Sequence, residues 1–364
     1  MTPASLDLSP FRPRFPWLTG DLQTLANKLW PRAAQAGAAS SEHLRFPMND
    51  GSGDTLLAML DRPPEDNGGP VLILIHGLTG CESSAYMLNT ARHFLALGHP
   101  VLRLNLRAAG PSRPLCGDIY YAGRSQDFRA VLRLLPADLM ARGLVAVGYS
   151  LGGNMLLKYL GEEGDAAPVQ AAAAVSAPID LSATCQHMMR PRNWLYHRYI
   201  IAAMKHEATA PGARLSAAER AAIMSSSNVW EYDDRFIAPR HGFAGAEDYY
   251  AKNKAVRFMP AIRTPTLVIA AADDPWIPIS IYRGFDWAAN NALVPLLADG
   301  GGHVGFHAAG SPIPWHDQAI ERLMMQGKPD RRQRDHSVGA REARDLRPPV
   351  AQEIPRFARD DRQL

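Results

Sequence analysis

Cysteine is scarce in this chain of 364 residues; Cys81, Cys116 and Cys185 are the only three. An odd number with no C-x-x-C pair excludes a disulfide framework and a zinc site of that kind, and points to a reducing compartment. No run of eighteen apolar residues occurs, so no segment reads as a membrane-spanning helix. Residues 1–15 carry prolines and arginines but no apolar stretch, which argues against a secretory signal. The expectation is a cytoplasmic protein, with peripheral contact to a membrane left open. No G-x-G-x-x-G follows a predicted strand, no Walker-type loop is present, and the histidines lack H-E-x-x-H spacing. Neither cofactor nor metal is expected.

An excess of charge of either sign is also missing from the body. The net charge is +3, and residues 327–364 supply it with ten Lys/Arg against seven Asp/Glu. A neutral body argues against nucleic acid as a partner. The tail, rich in charge and proline and poor in apolar residues, is expected to be disordered.

What is present is an alternation of strand and helix patterns. The chain is 46% hydrophobic, enough for a large core without staples. "HLRFPM" and "TLLAML" read as an antiparallel pair around a turn at "NDGSGD". "VLILI" (Val71 to Ile75) is a short continuous apolar run, the pattern of a strand buried on both faces. "VLRLNL", "LVAVGY", "VQAAAAVSAP", "TLVIAA" and "VPLLA" read as further strands. Helical segments lie between them, after Ser83, at "RSQDFRAVLRLLP", at "LGGNMLLKYL" and at "PWHDQAIERLMMQ". The order predicts an α/β fold with a mostly parallel sheet and helices on both faces.

The alternation breaks once. Residues 179–259, rich in Met, Trp and Tyr, read as a mainly helical cap inserted into a core formed by 41–178 and 260–326. Residues 1–40 form a lead-in in which Leu18, Leu22, Leu25 and Leu29 share one helical face. Such a helix either packs on the body or lies in a lipid interface, with Trp17 and Trp30 at its edges.

The chemistry gathers at the predicted strand ends. Gly148-Tyr149-Ser150-Leu151-Gly152 sets a serine on a strand-to-helix turn, where small neighbours leave room for a strained nucleophile. A serine hydroxyl needs a base to take its proton. In a fold of this type the order is Ser, then Asp/Glu, then His, and His303 in "DGGGHVGF" fits the last place. His307 and His316 do not follow a strand directly. The acid is Asp274 or Asp273 in "LVIAAADDPWIP", with Asp274 favoured because it directly precedes the turn at Pro275. The N–H groups of Leu151, after the nucleophile, and Leu78, in "HGLTG", are the candidate oxyanion donors. His76 reads as a brace for that loop and Cys81 as a small packed residue.

Taken together, "GDLQTL", "HGLTGCESSAY", "NLRAAGPSRP" with "IYYAG", "GYSLGGNML", "YDDRFIAPRHGFAGAEDYY", "DDPWIP" and "GGHVGF" resemble the YheT-like branch (AB hydrolase 4) of the α/β-hydrolase superfamily, over about residues 11–325. Asn154 and the cap stretch are the most specific features. Tyr232 stands where the branch has Phe. The resemblance implies an α/β-hydrolase fold with Ser150 as nucleophile, Asp274 as orienting acid and His303 as base. It implies a carboxylesterase, lipase or phospholipase acting on a small-molecule acyl ester. The Met- and Trp-bearing cap suggests an apolar acyl chain. Two alternatives stay open on sequence: an acyltransferase that passes the acyl group to an alcohol, and a non-catalytic binding protein on the same scaffold.

Overall fold

The computed structural model describes residues 6–29 and 37–326; Trp30 and the tail at 327–364 lie outside them. Contacts group the chain into a unit Met1–Met324 and a second, Met325–Leu364, of which only Met325 and Gln326 are described.

Among the described residues eight strands form one sheet: β1 (Ser40–Pro47), β2 (Thr55–Arg62), β3 (Val71–Ile75), β4 (Val101–Leu104), β5 (Leu144–Tyr149), β6 (Ala171–Val175), β7 (Thr266–Ala271) and β8 (Leu293–Ala298). Their spatial order is β1-β2-β4-β3-β5-β6-β7-β8. The first two strands pair antiparallel and the remaining six run parallel, as the sequence pattern anticipates.

The helices of the first half are α1 (Gly20–Leu29), α2 (Ala85–Ala96), α3 (Ser125–Leu134), α4 (Ala137–Ala141) and α5 (Leu151–Glu163). Between β6 and β7 come α6 (Leu181–Met188), α7 (Trp194–Ala208), α8 (Ala217–Ser225), α9 (Val229–Tyr232), α10 (Ala238–Arg240) and α11 (Ala246–Asn253), with a π-turn at Asp233–Ile237. Among the described residues this stretch contains no strand. Helices α12 (Ser280–Arg283) and α13 (Trp315–Gln326) follow β7 and β8 respectively.

The run "VLILI" explains the layering. Side chains alternate across a strand, so Leu72 and Leu74 join Met87, Phe94, Ile320 and Leu323 of α2 and α13 on one face. Ile73 and Ile75 join Phe128, Val131, Leu156 and Leu160 of α3 and α5 on the other. A strand covered twice has no polar face to spare, and all five residues of β3 are buried.

Strand order reverses between β3 and β5, the place where a parallel sheet opens a crevice beyond the strand ends. The loops that leave β3 and β5 carry Leu78 and Ser150, so the topology alone brings those two segments together.

The lead-in packs differently from its leucine pattern. Helix α1 does lie on the body, but through Gly20, Gln23 and Ala26, which are buried. Leu18, Leu22 and Leu29 face outward, 53%, 38% and 62% exposed. The reason is steric. A Cβ on Gly20 would run into the Asp273 carbonyl, and one on Gly302 into the Gly20 carbonyl, so the two backbones meet at a distance only glycine permits. Trp17 turns to the His307 ring, with centroids 6.3 Å apart.

Candidate active site

The turn between β5 and α5 holds Ser150 at φ 51°, ψ −121°. A residue with a Cβ adopts such a conformation only under the constraint of its surroundings. Here the Ser150 N–H donates to the Val175 carbonyl at 2.8 Å, and the Ser150 carbonyl begins the hydrogen bonding of α5. Gly77 and Gly152 allow the close fit. A Cβ on Gly77 would stand 2.9 Å from the Ser150 Cβ, and one on Gly152 would stand 2.5 Å from the His76 carbonyl oxygen.

Three sequence-selected side chains meet at this turn. The Ser150 hydroxyl lies 3.0 Å from His303 Nε2, and His303 Nδ1 lies 2.9 Å from Asp274 Oδ2. The other oxygen of Asp274 accepts the N–H groups of Trp276 and Ile277 at 2.8 and 3.0 Å, which fixes the carboxylate. The Trp276 ring lies against the imidazole, with centroids 4.3 Å apart at 33°. Asp273 takes another position and accepts the Gly302 N–H at 2.8 Å. Burial raises the Asp273 pKa above the ordinary carboxylate value.

His307 and His316 lie apart from this group. His307 contacts α1 through its backbone, where its N–H donates to Gln23 Oε1 at 2.8 Å. His316 packs against Tyr149 and Phe306, and burial lowers its pKa to about 3.

The loop after β3 faces the same turn. His76 is fully buried and neutral, its pKa lowered to about 4 by burial. Its Nδ1–H donates to the Gly77 carbonyl at 2.7 Å, while Nε2 accepts the Leu106 N–H at 3.0 Å. The amides on either side of Leu78 are both satisfied: Gly77 N–H donates to the Tyr86 hydroxyl at 2.9 Å, and Thr79 N–H to the Tyr120 hydroxyl at 2.7 Å. Leu151 is the first residue of α5, a position whose N–H has no preceding helical carbonyl to donate to. That end of the helix also favours negative charge. Cys81 is a half-buried free thiol whose N–H donates to Ser84 Oγ at 3.0 Å.

A cavity of about 340 Å³ opens at Ser150, Leu78 and His303 and runs beneath the inserted helices. Its walls include Met188, Ile200, Met204, Val229 and Ile237. Two carboxyl groups stand among these apolar walls, Glu207 and Asp233. Burial pushes both up to about 7, partly offset by the hydroxyls of Tyr120 and Tyr250 that they accept. Among the described residues no cluster of His, Cys, Asp and Glu could hold a metal ion.

Several contributors were not singled out from the sequence. Thr24 Oγ1 accepts the His303 N–H at 2.8 Å, and Asn27 Nδ2 donates to the Val304 carbonyl at 3.0 Å. Gln23 Nε2 donates to the carbonyls of Trp17 and His307, at 2.6 and 3.1 Å. A signal for them existed. Gly20, Gln23, Thr24 and Asn27 repeat at the helical period beside the leucine stripe. Asn154, which the sequence did single out, ties α5 to the inserted helices, donating to the carbonyls of Ala122 and Asn253 and accepting the Ala255 N–H.

Comparison with known proteins agrees with this fold. The family model described as alpha/beta hydrolase fold matches residues 70–308. The chain is 33% identical over 257 residues to an Escherichia coli (strain K12) protein named "Putative esterase YheT", a match spanning 69% of this chain and 74% of that one. It is 28% identical over 240 residues to a Mus musculus protein named phospholipase ABHD3, spanning 65% of this chain and 58% of the relative. Among solved structures, the Pyrococcus furiosus esterase Pf2001 aligns with a TM-score of 0.54 at 16% identity, over 87% of this chain and 97% of that one. The last likeness is one of fold.

Proposed function

The chain belongs to the alpha/beta hydrolase fold family, in the branch of the YheT-like proteins, and from that premise we propose that it is a serine hydrolase that cleaves carboxylic esters through an acyl-enzyme. Its esterase and phospholipase relatives support action on esters. The observation that carries the mechanism is the pair of contacts on one imidazole, 3.0 Å to Ser150 Oγ and 2.9 Å to Asp274.

The steps follow from those contacts. His303 Nε2 takes the Ser150 proton as Oγ bonds to the ester carbonyl carbon. The imidazolium is stabilised by Asp274, which accepts its Nδ1–H throughout. The carbonyl oxygen becomes an oxyanion and receives the N–H groups of Leu78 and Leu151. The tetrahedral species collapses, the bond to the alcohol oxygen breaks, and His303 Nε2–H gives that oxygen its proton. Water then gives a proton to His303, adds to the acyl carbon and releases the carboxylic acid, restoring Ser150. The apolar walls of the cavity suit an acyl chain, since buried apolar surface favours a chain over water there. Thioether side chains such as Met188 and Met204 adapt to chains of more than one shape.

The test is turnover of p-nitrophenyl esters of graded chain length by wild type and Ser150→Ala. The proposal expects turnover that rises with chain length to an optimum, and loss of turnover in the variant. Full activity in Ser150→Ala contradicts the mechanism, and a flat profile contradicts the acyl pocket.

A further inference from the structure

The two helices at the mouth of the cavity present apolar side chains to solvent. On α1, Leu18 just before the helix, Leu22 and Leu29 are exposed, with Phe15 upstream at 80%. On α7, Trp194, Leu195 and Tyr199 are exposed, Leu195 at 72%. The helices lie side by side. Arg192 and the Tyr196 hydroxyl bind the Asp21 carboxylate at 2.8 and 3.0 Å, and Lys28 Nζ sits 3.4 Å from the Tyr199 ring centroid. The two exposed faces therefore adjoin. Exposed leucines ordinarily occur singly; a group of them beside aromatic rings marks a surface that meets something apolar.

Two observations identify the occupant. First, the patch borders the cavity entrance, since Thr24, Asn27 and Lys28 of α1 and Tyr199 and Ile200 of α7 line that cavity. A protein seated there closes the route to Ser150, whereas a lipid surface supplies what enters it. Second, the charges on these two faces and in the turn that leads into α7 are mostly cationic. Lys28, Arg192 and Arg198 stand among the apolar side chains, Arg198 with its guanidinium 5.0 Å from the Trp194 ring, and the one acid of α1, Asp21, is already bound by Arg192. Leucine and tryptophan between lysine and arginine is the composition of a surface that rests at the boundary of headgroups and acyl chains.

We propose that the adjoining outer faces of α1 and α7 dock on a lipid surface bearing anionic headgroups, placing the cavity mouth against the lipid. The inner face of α1 holds the His303 loop through Thr24 and Asn27, so one helix touches both the docking surface and the site. That lipid is the source of the ester rests on the function proposed above; the docking does not.

The experiment is flotation of the full chain with phosphatidylcholine vesicles, with and without phosphatidylglycerol. Wild type and Ser150→Ala are compared with the triple variant Leu18→Ser, Leu22→Ser, Leu195→Ser. These three side chains are exposed and outside the cavity wall. The expected result is binding of wild type and Ser150→Ala to phosphatidylglycerol vesicles, with a blue shift of Trp194 emission. The triple variant is expected to bind at least tenfold more weakly, with unchanged melting temperature and unchanged turnover of a short water-soluble ester. Binding of Ser150→Ala keeps this outcome separate from that of the hydrolase mechanism. Three results overturn the proposal: wild type stays unbound, the triple variant binds equally, or wild type is a dimer that the triple variant dissociates, which assigns the face to a second copy.

Discussion

The Thr24 hydroxyl accepts the backbone N–H of His303 at 2.8 Å, although 279 positions of sequence separate them. A helix near the start of the chain thus holds the loop that carries the imidazole. Replacing the hydroxyl with a methyl of similar shape leaves that N–H without a partner and the loop free to shift. Misplacement of a reacting group by an ångström costs up to about 100-fold. Thr24→Val is expected to lower kcat by about tenfold at nearly constant KM, on the same scale of positioning effects. Thr24→Ser keeps the oxygen and should restore most of the rate. Steady-state kinetics on a soluble ester separate these outcomes.

The sequence made much of this legible, and the limits are physical. The strands were readable because residues such as those of β3 are apolar on both faces. Ser150, Asp274 and His303 were readable because each ends a strand in a fixed order, and the structure brings these three together at hydrogen-bond distance. The role of α1 was not. Its leucines outweigh Gln23, Thr24 and Asn27 on any hydrophobicity scale, yet the face turned to the body is Gly20, Gln23 and Ala26, flanked by the half-buried Thr24 and Asn27. The His303 loop offers backbone N–H and carbonyl groups, and burying them requires partners rather than leucine. The link from Thr79 through Tyr120 to Glu207 was equally hidden, since the three groups lie on separate segments and each is unremarkable alone.

Adjacent aspartates offer a sharp contrast. Asp274 contacts His303 Nδ1, while Asp273 meets only backbone N–H groups in the same loop region. Asp274→Asn is expected to reduce kcat/KM by about 10⁴, the cost of leaving the imidazole in the wrong tautomer. Asp273→Asn retains an oxygen for the Gly302 N–H and is expected to lose no more than about tenfold, a loss of positioning alone. Equal losses in both would contradict the assignment.

Tyr120 supports the loop that carries Leu78, the proposed oxyanion donor. Its hydroxyl accepts from Thr79 N and donates to Glu207 Oε2 at 2.8 Å. Tyr120→Phe removes both bonds and is expected to lower kcat by about tenfold, less than the 10²–10³ seen when an oxyanion donor itself is lost. A change in KM alone would mean that Tyr120 shapes the cavity and does not position the loop.

Burial raises the pKa of Asp317 to about 7, although the Thr90 hydroxyl donates to it. The folded protein therefore keeps a proton that the unfolded chain releases near pH 4. Asp317 contributes stability that is present below pH 4 and lost as pH rises to about 7. Relative to wild type, Asp317→Asn is expected to gain stability as pH rises from about 4 to 7 and to gain nothing further above it. Urea denaturation of both proteins across that range reads the difference directly. A constant difference would place the carboxyl in one ionisation state throughout.

The central claim is that His303 and Asp274 activate the Ser150 hydroxyl. Labelling with a fluorophosphonate probe, followed by peptide mapping, tests it on the intact protein. Wild type is expected to take up the probe at Ser150, with labelling abolished in Ser150→Ala and strongly slowed in Asp274→Asn. Folded wild type that remains unlabelled, or that carries the probe on another residue, would contradict the account.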